Sequence, residues 1–344
     1  FPSFGGTLTW NSSGDALVRS GSAVGDAGRD VARLGTGLEW QRQWISAAGL
    51  VTKAAAGVRV DAYNLRDDDA YADGVRTIPS GQVTFSYPMV RRSAAATQML
   101  TPIIAVGWSD SFGTTPPNED STRPELDAAN LFALSRFPGD DAVETGLRGA
   151  VGVQWARHGA AGGTANLTFG RVFREDVNAD FTKTSGLQGN ASDWLVAGQM
   201  TLPQGFRLEG RAQLGDTLDP TLAALKFDWT TTDLALAASY LWQSADQDLG
   251  RPDPISEWLL DTKVQVSDAW AVSFDTRYDV IADTPARAGL GVEWRNECVT
   301  VDLSVSRRYT SSSTVDPSTT FGLSGTLTGF SAGRSAAGPA RSCQ

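Results

Sequence analysis

Histidine is nearly missing from this 344-residue chain, which has only His158. A Ser-His-Asp arrangement or a His-based metal centre would have to be built on that one residue. Cysteine occurs twice, at Cys298 and Cys343, too few for a disulfide scaffold and without metal-ligand spacing. A basic stripe is also missing. Lys and Arg number 29 against 39 Asp and Glu, and a net charge of −10 argues against a nucleic-acid surface. No Gly-rich phosphate loop follows a strand and opens a helix. No apolar run reaches the roughly 18 residues of a membrane helix, a test that membrane strands evade because each is only half apolar. Residue 1 is Phe, and no charged region followed by an apolar one opens the chain. A mature or excised segment is therefore expected. An enzyme is not expected, nor a metal or a cofactor.

What the chain has is alternation. In Trp258-Leu260-Thr262-Val264-Val266 every second residue is apolar or neutral, and Asp261, Lys263 and Gln265 lie between. The stretch Trp270-Val272-Phe274-Thr276-Tyr278-Val280 repeats the scheme against Ser273, Asp275, Arg277 and Asp279. One apolar face, one charged face and aromatic ends describe strands of a transmembrane β-barrel. About sixteen such segments can be traced, near 5–12, 31–44, 50–66, 80–92, 97–109, 146–158, 163–174, 192–202, 205–215, 220–230, 232–244, 256–267, 269–281, 286–296, 298–309 and 318–330. If the last strand ends at the periplasm, the connections assigned to that side are all short. The outer set (13–30, 67–79, 110–145, 175–191, 245–255 and 310–317) is mostly long, as outer-membrane barrels require.

The tryptophans then form two belts. Trp10, Trp108, Trp194, Trp242 and Trp258 fall to the outer side, and Trp40, Trp44, Trp155, Trp229, Trp270 and Trp294 to the periplasmic side. Between the belts one face carries residues such as Leu34, Leu38, Val58, Ile104, Leu167 and Leu290. The other carries Arg59, Asp61, Arg148, Arg207, Glu209, Arg211, Lys263, Asp275, Arg277 and Glu293. A charge facing lipid near midplane costs about 2–4 kcal/mol for Arg or Lys, so the charged set is assigned to a hydrated lumen. Its signs are mixed. Arg42 and Arg171 break the parity and are expected to snorkel near the interfaces.

The acidic clusters Asp67-Asp68-Asp69, Asn118-Glu119-Asp120, Asp140-Asp141 and Glu175-Asp176 have oxygen ligands for calcium, but such runs are more often solvated loop surface. Cys298 shares parity with Thr300, Asp302 and Ser304 and follows a short turn, which places it at the periplasmic mouth on the lumen side. Cys343, a domain outside this segment, or no partner at all are the alternatives for its pairing.

The stretch Asn118-Glu119-Asp120-Ser121, Asn130-Leu131-Phe132 and Arg136-Phe137-Pro138-Gly139-Asp140-Asp141, with Glu144, Gly146, Arg148 and Gly152, resembles the LPS-assembly protein LptD. Leu100-Thr101-Pro102 ahead of it, and Glu297-Cys298, Arg307-Arg308-Tyr309 and the stretch from Phe321 to Phe330 behind it, are similar to the same family in its alphaproteobacterial form. The resemblance covers roughly residues 80–330. It implies a barrel of about 26 strands, a periplasmic jelly roll, an LptE-like plug lipoprotein, an LptA-like periplasmic bridge reached through that jelly roll, and assembly by the barrel-assembly machinery. Members of the family carry two adjacent cysteines where this chain has Cys298 and Val299, so a single bond at Cys298 is what the resemblance leaves.

The expected fold is an all-β antiparallel transmembrane β-barrel. Residues 1–330 would be its C-terminal part, with about sixteen strands of a larger barrel, and 331–344 a short periplasmic tail. The expected function is a translocon of the Gram-negative cell outer membrane. It would insert lipopolysaccharide into the outer leaflet through a hydrated lumen and a lateral seam. The seam strand is Phe321, Gly322, Leu323, Ser324, Gly325, Thr326, Leu327 and Thr328, whose glycines weaken pairing. A sixteen-stranded general porin is the alternative; its strand count fits better, but the tail from Ser331 to Gln344 fits it worse.

Overall fold

The computed structural model describes residues 2–21, 23–310 and 316–327. Among these, every regular element is a strand except the three-residue 3-10 turn Lys183–Ser185. Sixteen long strands follow one another: β1 (Gly6–Leu17), β2 (Asp30–Ile45), β3 (Val51–Arg66), β4 (Gly74–Ser86), β5 (Ala96–Ser109), β6 (Gly146–Gly159), β7 (Thr164–Arg174), β8 (Trp194–Leu202), β9 (Phe206–Leu214), β10 (Pro220–Thr230), β11 (Leu234–Gln243), β12 (Ile255–Gln265), β13 (Trp270–Asp279), β14 (Thr284–Arg295), β15 (Val299–Arg308) and β16 (Ser318–Leu327). Three short pieces, Pro2–Ser3, Met89–Arg92 and Phe112–Gly113, extend the edges of β1, β4 and β5. Each long strand pairs antiparallel with the next, from β1–β2 to β15–β16. Among the described residues the sheet does not close, because β1 and β16 do not pair with each other.

Period-two patterning makes these segments strands, and it decides which face each side chain takes. In β5, Ile103, Ala105, Gly107 and Ser109 are buried, while Ile104, Val106 and Trp108 between them are exposed. The ladder pairs the backbone groups, which a hydrocarbon surround would otherwise leave unsatisfied.

The two ends of the sheet differ as the parity required. At one end the connections are 46–50, 93–95, 160–163, 203–205, 231–233, 266–269 and 296–298, all tight. At the other they are 18–29, 67–73, 114–145, 175–193, 215–219, 244–254, 280–283 and 309–317. Ten of the tryptophans lie toward the ends assigned to them. Trp10 does not: it pairs with Leu38, midway along β2, and is two-thirds exposed. Its indole N–H is satisfied there by Thr36 Oγ1 at 2.9 Å, which lets a polar tip sit away from an interface.

Two outer connections are shorter than the sequence suggested. β1 runs on to Leu17 because the polar run Ser12-Ser13-Gly14 pairs with Thr36, Gly35 and Leu34. β4 begins at Gly74, so Arg76 and Ile78 belong to a strand and not to a 67–79 loop. Pro79 lies within this strand, where the ladder to β5 is interrupted, between Ser80↔Ser109 and Thr77↔Phe112. A missing N–H is tolerated at such an irregularity. Arg171 resolves as a snorkelling residue, its guanidinium 5.4 Å from the Trp194 ring and paired to Asp216 at 2.5 Å. Arg42 lies 4.9 Å over the Trp44 ring and donates to Phe4 O. The expected tail 331–344 lies outside the described residues.

Candidate functional site

The long connection 114–145, which holds the sequence motif, lies along the inner face of the sheet. Its apolar side chains provide the first reason. Leu126, Leu131 and Phe137 pack in one buried cluster with Ala105, Ala150, Val172 and Leu195 of β5 to β8, and with Phe181 and Leu187 of the 175–193 loop. Glycines make the sockets. A Cβ on Gly170 would stand 2.7 Å from Leu131, one on Gly152 3.0 Å from Phe132, and one on Gly107 2.6 Å from Leu134. The inner face was expected to be polar throughout. Under this loop it is partly apolar, because the loop, and not water, covers it.

Arginines on the inner face supply the second set of contacts. Arg33 of β2 reaches Asp120 at 3.0 Å and Asp141 at 2.8 Å. Arg59 of β3 reaches Asp140 at 2.7 Å and Asp61 at 2.7 Å. Arg76 of β4 donates to Asp61 at 2.9 Å, Tyr63 at 2.7 Å, and the carbonyls of Asp140 and Asp141 at 2.6 and 2.5 Å. Asp61 is wholly buried between Arg59 and Arg76. On the far side Arg148 of β6 donates to Leu134 O and to Ser109 Oγ, and Ser109 donates to Glu144 O. Glu144 takes Arg136 at 2.6 Å and Arg174 of β7 at 3.3 Å. Buried ion pairs of this kind hold a geometry more than they add stability.

The loop also fixes itself. Asp120 accepts from the N–H groups of Asp140 and Asp141 and from Ser121 Oγ, and Gly139 N–H donates to Ser121 Oγ. A Cβ on Gly139 would stand 2.1 Å from the Asp120 carboxyl carbon. Asn118 Oδ1 accepts from Ser121 N–H, and Asn130 bridges Asp127 N–H and Glu125 O. Burial pushes the Asp120 carboxyl up, but the two N–H groups, the Ser121 hydroxyl and Arg33 outweigh it and hold it down at about 2. Burial lowers Arg136 to about 10 against the pull of Glu144, so it stays charged at neutral pH. Parts of the acidic clusters are thus arginine partners: Asp68 and Glu119 take Arg29, and Asp120, Asp140 and Asp141 take Arg33 and Arg59, while Asp67, Asp69, Glu175 and Asp176 lie exposed.

Of the inner-face charges singled out in the sequence, the loop engages Arg59 and Arg148 directly, Asp61 meets it only through Arg59 and Arg76, and Arg211 meets Glu125 at 2.7 Å. Arg207 and Glu209 are 3.6 Å apart within the sheet and meet no loop residue. Lys263–Glu293, Arg277–Glu257 and Arg287–Asp275 likewise pair strand to strand. Arg33, Arg76 and Arg174 were missed as site residues, while Glu144 was named only as part of the motif. The parity of β2 placed Arg33 inward, while Arg76 was hidden by reading 67–79 as a loop.

At the edge of the sheet, among the described residues, β16 pairs on one side only, and Phe321, Leu323 and Leu327 are mostly exposed. A Cβ on Gly325 would meet nothing within 4 Å. Thr328 lies outside the described residues. Cys298 is buried in the short turn before β15, its N–H bonded to Asn296 Oδ1 at 3.0 Å, and Cys343 lies outside the described residues. At the other edge Pro2 and Ser3 fold back on Thr7 and Gly6 through Phe4 and Gly5, both at positive φ. This is the two-residue turn of a tight hairpin.

No curated protein matches the chain. Among solved structures it is similar to a mutant of Rh. blastica porin, at 10% identity and TM-score 0.33 over 93% of this chain and 98% of that one. It is also similar to the FrpB iron transporter from Neisseria meningitidis, at 10% identity and TM-score 0.36 over 92% and 60%. At such scores neither likeness bears on function or strand number. The family model described as "LptD: LPS transport system D" matches residues 4–254. That range reaches well upstream of the motif, through β1 to β4, and stops before Cys298 and the last strand. With the motif loop inside the match, the chain belongs to the LptD family, whose work is LPS transport and outer-membrane assembly.

Proposed function

We propose that this chain forms the C-terminal part of a larger barrel that inserts lipopolysaccharide into the outer leaflet of the Gram-negative outer membrane through a hydrated interior and a lateral seam. It acts as a translocon and not as an enzyme. The alphaproteobacterial affinity of the motif rests on the sequence pattern. Acyl chains cross a polar lumen only at high cost, and sugars and phosphates cross hydrocarbon no more easily. A barrel that opens along one edge passes each part through its own solvent.

The observation that carries the reading is the edge of β16, which among the described residues pairs on one side only, with its apolar side chains on one face and Ser324 and Thr326 at the alternate positions. An edge left unpaired in this way is a liability unless another strand covers it. In the intact barrel that strand is the first one, and the glycines Gly322 and Gly325 favour its release. The hairpin at Phe4-Gly5 supports strands upstream of β1. An LptE-like plug lipoprotein fits the inner face that the loop leaves bare. An LptA-like bridge, a jelly-roll domain and the barrel-assembly machinery complete the proposal, with a disulfide at Cys298 that tethers the short-turn mouth. Locking β16 to the first strand of the intact protein by an engineered crosslink abolishes lipopolysaccharide export on this reading. Export that continues with the seam locked removes the gate.

A second reading has one observation in its favour: sixteen strands suffice for a porin that passes small solutes. Against it stands the loop across the inner face of β2 to β9. Conductance of the purified intact protein separates the two. A large, steady pore indifferent to a plug lipoprotein favours the porin.

A further inference from the structure

The carboxylates of this acidic chain are unevenly spread. Residues 40–60, 80–109, 145–174 and 194–208, which include the short-turn ends of β2 to β8, contain no Asp or Glu. The short-turn ends of β11 to β15 hold Asp233, Asp268 and Glu297. Within the carboxylate-free part, the ladder sets Arg91, Gln98 and Arg157 side by side in one row. They share the face of Ile104, Val151 and Leu167, which alternation turns toward lipid. Trp155 lies in the next row, and its indole N–H donates to Gln98 Oε1 at 3.3 Å. Arg91 is exposed. A Cβ on Gly159 would stand 3.6 Å from Arg157 Nη1, so that guanidinium runs toward the short turn. Arginines just beyond a belt tryptophan on a lipid-facing wall keep their stems in hydrocarbon and their heads at headgroup level.

An apolar furrow of about 560 Å³ opens beside this row. Its floor is Ala165, Gly198, Gly210, Ala212 and Ala223. Ala165 is the cross-strand neighbour of Arg157, and Gly198 faces Gly210. Leu167 and Leu225 flank that glycine pair in the same row and form the walls. The floor steps from β7 to β10 as it leaves the short turns, three strands across and four residues along. Ordinary strand spacing and rise make that about 20 Å. One leaflet of hydrocarbon is about 15 Å thick, so the furrow takes an acyl chain lengthwise. Trp155 borders both the furrow and the arginine row.

Charge complementarity selects the occupant. Two guanidiniums about 10 Å apart on a wall free of carboxylates attract a phosphodiester, and the adjoining furrow takes hydrocarbon. We propose that Arg91, Gln98 and Arg157, with this furrow, bind an anionic glycerophospholipid on the outside of the wall. The lipid belongs to the leaflet at the short-turn end, which is the periplasmic one in outer-membrane barrels. It pins the depth of β4 to β8, the strands whose inner face carries much of the loop cluster. The proposal needs the wall to face lipid and does not depend on the translocon reading.

The test is native mass spectrometry of the intact protein, released from detergent micelles that hold equal amounts of phosphatidylglycerol and phosphatidylcholine with the same acyl chains. Phosphatidylglycerol is expected to be retained about twentyfold in preference. That preference is expected to fall about fivefold in Arg91→Gln or in Arg157→Gln, and to vanish in the double variant. Arg91 is exposed, so Arg91→Gln leaves the fold intact. Ala212→Leu fills the furrow and is expected to weaken both lipids while keeping the preference. Equal retention of the two lipids by the wild type, or a preference unchanged in the double variant, overturns the proposal. A preference that depends on both arginines but ignores Ala212→Leu overturns the furrow part and leaves a headgroup site. Polyglutamate that displaces phosphatidylglycerol at lower concentration, with the same dependence on both arginines, assigns the row to an acidic protein segment and overturns the lipid.

Discussion

The inner face of the sheet has two halves. From β2 to β9 it is covered, and its arginines are buried against carboxylates and carbonyls of the 114–145 loop. From β12 to β16 no described segment covers it. There Lys263, Arg277 and Arg287, each about half exposed, pair with Glu293, Glu257 and Asp275 on strands of the same sheet. The same residue types do different jobs on the two halves. In the bare half they solvate a surface, and in the covered half they position a segment of chain. Burial decides which, because an ion pair in water is worth about 1 kcal/mol at most, whereas a buried partner cannot be removed cheaply.

That difference can be broken most severely at Arg76. Arg76→Ala leaves Asp61 buried with half of its pairing gone, and a loss of about 3–5 kcal/mol is expected in chemical unfolding of the refolded protein, together with release of the loop to protease. Leu131→Ala removes the loop's central anchor and costs about 2–5 kcal/mol by the same measurement. Gly170→Val fills the Leu131 socket. It costs about 1–3 kcal/mol and undocks the loop with every ion pair still chemically present.

Acid gives a graded version. The Asp120 carboxyl is held at about 2, below its unfolded value of about 3.9, so its contribution is complete above about pH 4 and lost as pH falls toward 2. Protease sensitivity of the loop is expected to rise in that window and to be flat from pH 5 to 8. The smallest effect belongs to the bare half. Arg277→Ala changes stability by no more than about 1 kcal/mol and leaves the loop protected.

How much of this was legible in the sequence follows the same division. Alternation fixed the strands, their faces and the two kinds of connection, because a period of two is a local property. β15 and β16 were legible for that reason, as was the bare face with Lys263, Asp275, Arg277 and Glu293. The motif flagged Asp120, Arg136, Phe137 and Asp140 as a unit without saying what they touch. Their partners Arg33 and Arg76 lie far away in sequence, and only the curl of the sheet brings them in. Inward-facing Val172 and Leu195 violated the expected polar lumen, and that violation was the available sign of a covering segment. Trp10 was placed at the outer interface because its strand was expected to end near residue 12; the strand runs on to Leu17, and the Trp10 hydrogen bond to Thr36 depends on that register.

The central claim is that the 114–145 connection docks on the inner face and does not extend into solvent. Amide hydrogen exchange on the intact protein tests this most directly. The N–H groups of Leu126, Leu131, Asp140 and Asp141, which donate to Ser185 O, Asp127 O and the Asp120 carboxylate, are expected to exchange as slowly as neighbouring strand amides of β6 and β7. Exchange of these four amides at the rate of an unstructured segment, with the strands still protected, would contradict the account.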